Sequence, residues 1–191
     1  MFVAAWPDTA TSTQLARLNL RTHAGFRPVV PARWHVTLRF LGEVDDDWVP
    51  ALRAALGEVA ARCAGPVRCE AGPATAWFSG GRVLQLPVVG LDALAVLVQD
   101  ATASIVPRPI GGSAPPFVGH LTLGRAKGGR IDPSTRCALE GIPFVATWTI
   151  DSIDLVASVP TPAGVHYARR ARVALTQPAA AGSEPEQELP D

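Results

Sequence analysis

Residues 34–43 read Trp34-His35-Val36-Thr37-Leu38-Arg39-Phe40-Leu41-Gly42-Glu43, and residues 120–125 open in the same way, His120-Leu121-Thr122-Leu123-Gly124-Arg125. The shared pattern is His, aliphatic, Thr, Leu, in two copies 85 positions apart. On a β-strand side chains alternate, so each His shares a face with its Thr while the two aliphatic residues take the other. Each copy therefore sets an imidazole beside a hydroxyl on one surface and anchors them with two apolar groups behind. Threonine supplies 13 of the 191 residues, so a Thr two places after a given His has a chance of about 7%. Two of the four histidines meet that condition, and their aliphatic positions match as well. The repetition exceeds what ordinary β composition supplies. The same alternation puts Arg125 on the face of Leu123, away from His120.

Outward from these two strands, the chain alternates short apolar runs with amphipathic ones. Residues 2–6 are apolar and stopped by Pro7, which predicts a buried strand. Asp8, Thr9 and Thr11 offer N-caps for a helix through about Leu20, with Leu15 and Leu18 inward. Arg21 and His23 then follow its C-terminal end, where a cation suits the helix dipole. Asp45-Asp46-Asp47 opens a helix over about 48–62. Residues 67–71 and 82–89 predict strands separated by the turn-like Gly72-Pro73 and Gly80-Gly81. Leu91, Leu94 and Val98 recur at helical spacing and predict a third helix over 91–105. The Pro- and Gly-rich stretch 107–116 reads as a loop. Residues 143–150, 152–159 and 165–175 read as strands, the last two joined by the hairpin-like Pro160-Thr161-Pro162-Ala163-Gly164. Strands outnumber helices and several neighbours connect through short turns. The fold class is therefore α+β with antiparallel sheets, not a doubly wound parallel sheet.

A chain of 191 residues fits one domain, or two small lobes sharing a core. Hydrophobic residues at 48% and charged residues at 18% are those of a globular protein and exclude collagen-like or disordered composition. The formal net charge is zero, with 17 basic and 17 acidic residues, but the distribution is uneven. Residues 177–191 hold Glu184, Glu186, Glu188 and Asp191 and no base, and read as a disordered acidic tail. Without those four acids the body carries 17 bases against 13 acids, a balance of +4. That suits a small or terminal polyanion and falls short of a duplex-binding face. Cys63, Cys69 and Cys137 are odd in number and form no CxxC pair, which fits a reducing compartment. No leader-like start or membrane-length apolar run is visible, so the chain reads as soluble and cytoplasmic.

The paired motif points to acid–base chemistry. Imidazole, with an unperturbed pKa near 6.5, serves as either base or acid at neutral pH. A reaction that needs both at once fits the pair, and the Thr37 and Thr122 hydroxyls can donate to an anionic oxygen. A metal site would want Asp, Glu or Cys near each His; Thr stands there instead, and HExxH is absent. No metal and no cofactor is called for. Gly111-Gly112-Ser113 lacks the Lys of a phosphate-binding loop, which argues against nucleoside triphosphate hydrolysis. Arg39 and Arg125 stand open between surface solvation and substrate binding. His166 reads as a plain strand residue. Trp34, Phe40, Phe78, Phe117 and Tyr167 read as core, with room for one of them to stack on a base.

The chain resembles the two-histidine (2H) phosphoesterases, and within them the RNA 2′,3′-cyclic phosphodiesterases also known as 2′-5′ RNA ligases. The resemblance covers most of residues 1–175. It rests on both His-x-Thr-x motifs, Phe2-Val3-Ala4, the run from Leu38 to Glu43, Arg125, and the late Ser158 to Gly164 segment followed by Tyr167. Departures are Gly119 where the family often has Pro, and Arg33-Trp34 where it commonly has Asn-Leu. The resemblance implies two pseudo-symmetric lobes of antiparallel sheet with outer helices, spanning residues 1–176, with one motif per lobe in a shared cleft. It also implies that His35 donates a proton to the 3′ oxygen, that His120 accepts one from water, and that Arg125 contacts phosphate. The product would be a 2′-phosphate, with reverse ligation of tRNA halves as a side reaction. Expected substrates are RNA ends or small cyclic nucleotides, with the protein acting as a monomer away from membranes. The residues alone leave open which histidine is the acid, and also a non-catalytic RNA-end binder.

Overall fold

The computed structural model describes residues 1–18, 20, 23, 25–78, 80–106, 116–129, 131–162 and 164–175. The expected loop at 107–116, apart from Pro116, and the acidic tail lie outside the described residues, as does Arg21.

The elements run β1 (Phe2–Ala5), α1 (Thr9–Ala16), β2 (Phe26–Pro28), β3 (Val36–Phe40), α2 (Val49–Arg62), β4 (Val67–Ala71), β5 (Ala76–Phe78), β6 (Val83–Val89), α3 (Asp92–Ala103), β7 (His120–Ala126), α4 (Pro133–Leu139), β8 (Ala146–Ile150), β9 (Ser152–Thr161) and β10 (Gly164–Ala174). The α+β class and the antiparallel sheet hold. The two three-residue strands and α4 escape periodicity because each is too short to show it. For α4 the usable signal is local: Asp132 accepts the backbone N–H groups of Ser134 and Thr135, and Pro133 sits in the first turn.

Helix α1 starts as expected, with the Asp8 carboxylate accepting the Thr11 N–H at 2.7 Å. It ends at Ala16, short of Leu20. Arg17 and Leu18 then donate to the carbonyls three residues back, Gln14 and Leu15, and the tightened chain carries Leu20 into the core. His23 is consequently not at a helix C-terminus; its carbonyl accepts the N–H of Phe26.

All strand pairs are antiparallel, in the order β10-β9-β1-β3-β7-β6-β4-β8, with β2 on β7 and β5 on β6. The two motif strands, β3 and β7, are thus central neighbours. They pair at Val36 and Leu121, the aliphatic residues of the two motifs. Helices α2 and α3 pack on each other behind β3, β9 and β10, and α1 reaches β8. Val36, Leu38, Leu121 and Leu123 lie in the main core cluster with Leu56 and Val98 of those helices. Burying each such aliphatic side chain contributes about 1.5–3 kcal/mol. The motifs' apolar backs therefore hold the strands flat against the helices.

Strict alternation fails at one place in each motif strand. Thr37 pairs with Ala4 and Arg39 with Val3, so Leu38 is an extra residue in β3. Thr122 pairs with Gln85 and Gly124 with Leu84, so Leu123 is an extra residue in β7. Both are β-bulges at the fourth motif position, and each flips the parity of the residues after it. Arg39 is therefore turned inward and only 7% exposed, which corrects both expectations for it. Its guanidinium donates to the carbonyls of Gln99 and Val106 and to the Thr102 hydroxyl. A cation at the end of α3 suits the unpaired carbonyls and the dipole there. The equivalent inward position on β7 is Gly124, against whose backbone the Phe26 ring lies. By the same flip Arg125 comes to the face of His120, not that of Leu123.

A Cβ at Gly124 would collide with the Phe26 ring. Gly124→Ala is expected to destabilise the fold by about 1–3 kcal/mol through overpacking, read as a lower midpoint in urea unfolding.

Candidate active site

The register that joins β3 to β7 also assembles the site. Extending it one residue either side of the Val36–Leu121 pair sets His35 beside Thr122 and Thr37 beside His120. All four side chains are half-buried while the two aliphatic residues between them are buried. The sequence-predicted quartet is thus brought together on one face of the central strands. Arg125, exposed, stands near enough that its charge and that of His120 both act on His35.

Both rings are oriented by the same device. Nδ1 of His35 lies 2.7 Å from the Arg33 carbonyl, and Nδ1 of His120 lies 2.8 Å from the Val118 carbonyl. A carbonyl oxygen only accepts, so each Nδ1 carries the hydrogen and each neutral ring keeps its Nε2 lone pair. The contact spans two residues in each case, from a motif His back to the carbonyl at position −2.

The rings differ in their surroundings. His35 stacks on Phe2, with centroids 4.9 Å apart, and meets Trp6 at 5.3 Å and the edge of Tyr167 at 5.4 Å. That apolar packing holds the His35 pKa below its ordinary value, chiefly through burial; the Arg33 carbonyl works the other way, and the charges of His120 and Arg125 add to the depression. His120 has a single described ring partner, Phe78, at 5.3 Å.

Of the aromatic residues expected in the core, Trp34 is buried and Phe117 packs against the core cluster. Phe40 and Phe78 are corrections, at 75% and 41% exposed. The bulge at Leu38 turns Phe40 out of the core, and Phe78 sits at the end of the short β5. Tyr167 is also drawn from the core to His35. His166, its neighbour on β10, is exposed, and alternation points it to the opposite face from Tyr167. Sequence reasoning missed Phe2 and Trp6 as ring partners; their shared parity with Ala4 along the first strand was the available signal. It also missed Asp154, buried on β9 and ion-paired with Arg169 and Arg172. An acid inside the apolar run 152–157 was the clue.

Among the described residues no group of three or more His, Cys, Asp or Glu side chains is placed to hold a metal ion. No helix among them is long and apolar enough to cross a membrane. Cys63 and Cys69 are buried free thiols and Cys137 is an exposed one.

Comparison with known proteins bears on this arrangement. The model of the LigT-like phosphoesterase family matches residues 6–70. The RNA 2′,3′-cyclic phosphodiesterase of Thermus thermophilus is 29% identical over 164 residues, which are 80% of this chain and 77% of that protein. The crystal structure of TT0787 from the same organism superposes with a TM-score of 0.77 at 25% identity, covering 91% of this chain and 96% of that one. Escherichia coli LigT in its apo form gives 0.68 at 25% identity, covering 92% and 96%. LigT complexed with 3′-AMP gives 0.67 at 26%, covering 92% and 97%. The fold, the sequence match and these relatives agree: the chain is similar to the LigT-like phosphoesterases.

Proposed function

We propose that the chain hydrolyses RNA 2′,3′-cyclic phosphodiester ends to 2′-phosphomonoesters without a metal ion. The observation that carries this reading is the facing pair of His–Thr units on β3 and β7, each ring held by a carbonyl at Nδ1 and left with Nε2 for chemistry. Similarity to the Thermus thermophilus RNA 2′,3′-cyclic phosphodiesterase supports the substrate class.

In this mechanism Nε2 of His120 takes a proton from water as its oxygen attacks phosphorus. The bond from phosphorus to the 3′ oxygen breaks, and that oxygen takes a proton from Nε2 of His35, leaving a 3′-hydroxyl and a 2′-phosphate. Thr37 and Thr122 hydroxyls donate to the non-bridging oxygens, and Arg125 offsets the charge that builds there. A 5′-hydroxyl in place of water would give a 2′-5′ linkage by the same proton transfers, hence the ligase side reaction.

The donor role requires His35 to be protonated, yet burial lowers its pKa. A bound phosphate anion acts in the opposite sense, so the substrate itself supplies the counter-charge that loads the acid. Burial thus disfavours the cation at His35 in the resting site, and a phosphate facing the ring favours it.

The first test incubates an oligonucleotide ending in a 2′,3′-cyclic phosphate with the protein and EDTA. A 2′-phosphate product is expected, and His35→Ala or His120→Ala should lower kcat by about 100-fold or more. Thr37→Val and Thr122→Val should each cost about tenfold. Full activity in the double histidine variant, or binding without turnover at any pH, would reject catalysis by this pair.

The second test is a pH profile. Because kcat/KM reports the free enzyme, its fall toward high pH should have a midpoint below 6.5, the ordinary value for His. Arg125→Gln removes a positive neighbour of His35, so that midpoint should move upward even as kcat/KM declines. A midpoint unmoved in Arg125→Gln would separate Arg125 from the donor.

A further inference from the structure

A cavity of about 410 Å³ adjoins His35, and its walls include Trp6, Trp34, Val156, Tyr167, Arg169 and Arg172. Its volume lies within the roughly 300–1,000 Å³ range of small-molecule sites. Two of its walls, Trp6 and Tyr167, also touch the His35 ring, so the cavity lies beside that histidine. Its lining is mixed: three aromatic residues, two guanidinium groups and the Asp154 carboxylate that pairs with them.

The guanidinium groups are held from beneath. Asp154, whose side chain is 6% exposed, lies 3.5 Å from Arg169 and 3.8 Å from Arg172. Arg172 also donates to the Ser152 hydroxyl at 2.7 and 3.0 Å. Each guanidinium has five donors, more than these contacts use, and both side chains are about half exposed. Arg33 adds a third cation, its Cζ 5.8 Å from the centre of the Tyr167 ring. Cations pinned by a buried acid, with spare donors toward solvent, suit a phosphate oxygen.

Register shows how far these cations lie from the reacting centre. Thr37, Ala4, Asp154 and Arg172 are successive cross-strand neighbours. Three strand spacings put the Arg172 backbone about 14 Å from that of Thr37. The Arg172 guanidinium is held over Asp154 and Ser152, two strands or more away from Thr37, and so is offset across the sheet from the two threonines. Aromatic rings beside a positively charged track are how single-stranded nucleic acid is held.

We propose that this cavity receives the nucleoside bearing the cyclic phosphate, its base against Trp6, Trp34 and Tyr167, and that Arg169 and Arg172 hold the phosphate on its 5′ side. This rests on the phosphodiesterase reading above and narrows it. A free cyclic mononucleotide lacks a 5′-phosphate, whereas every RNA end of two or more nucleotides has one. Arg169 and Arg172 are thus the specificity-determining residues that favour RNA ends.

The test compares three substrates: adenosine 2′,3′-cyclic phosphate, the same compound with a 5′-phosphate, and the dinucleotide ApA ending in a 2′,3′-cyclic phosphate. Wild-type kcat/KM should be about tenfold or more higher on the latter two, chiefly through KM. Arg169→Gln/Arg172→Gln keeps amide donors toward Asp154 and should bring that ratio to about one. Salt gives a check that needs no variant: log KM on the dinucleotide should rise more steeply with log salt than on the bare mononucleotide, by about 0.7 for the added phosphate contact. Preference for the dinucleotide alone would assign the arginines to a diester, and equal gain on the 5′-monophosphate to any 5′-phosphate; both support the subsite. Equal rates on all three substrates, or a preference that survives in the double variant, would overturn it while sparing the phosphodiesterase reading. No turnover of any of the three would overturn both.

Discussion

The site depends on one pairing, that of Val36 with Leu121 between β3 and β7. These residues are apolar and buried, and they form the back of each motif. Antiparallel pairing at that point leaves no choice for their neighbours. The His and Thr of one motif must oppose the Thr and His of the other, on the face away from the helices. The hydrophobic core thus positions the polar site, because a slip of one residue would turn both histidines inward and expose the aliphatic pair.

The two bulges extend this arrangement beyond the motifs. At Leu38 and Leu123 the strands each gain a residue, and the side chains beyond that point change sides. One consequence is that Arg39 is spent on the end of α3, tying a motif strand to the helix behind it. Another is that Arg125 reaches the side of the sheet where the histidines lie. The two motif strands repeat the device but not its outcome: inward positions hold Arg39 and Gly124, and outward positions hold Phe40 and Arg125. The reaction proposed above gives this asymmetry a reason, since its acid and base would face different oxygens.

Around the histidines the asymmetry is electrostatic as well as geometric. Three aromatic rings enclose His35 and lower its affinity for a proton, whereas one described ring touches His120. Two of those three rings, Trp6 and Tyr167, also close one side of the cavity that carries Arg169 and Arg172. Packing that tunes an imidazole and packing that could receive a base are therefore one structure, and a change in either function would disturb the other.

The amino-acid sequence by itself determined the class of fold, most long elements and the His and Thr that share a face of each central strand. Those features are written in local periodicity: a His and a Thr two apart, aliphatic residues between them, and caps such as Asp8. Elements of three to seven residues, like β2, β5 and α4, carry too few repeats for periodicity to register. The place of Arg39, Phe40 and Arg125 was decided only in the tertiary structure. A bulge arises from the mismatch between one strand and its neighbour, and β1 and β6 are distant in the chain from the residues whose sides they exchange. The same holds for Trp6, Tyr167, Asp154 and Arg172, which meet because β1, β9 and β10 align in register across the sheet, a relation no single segment contains.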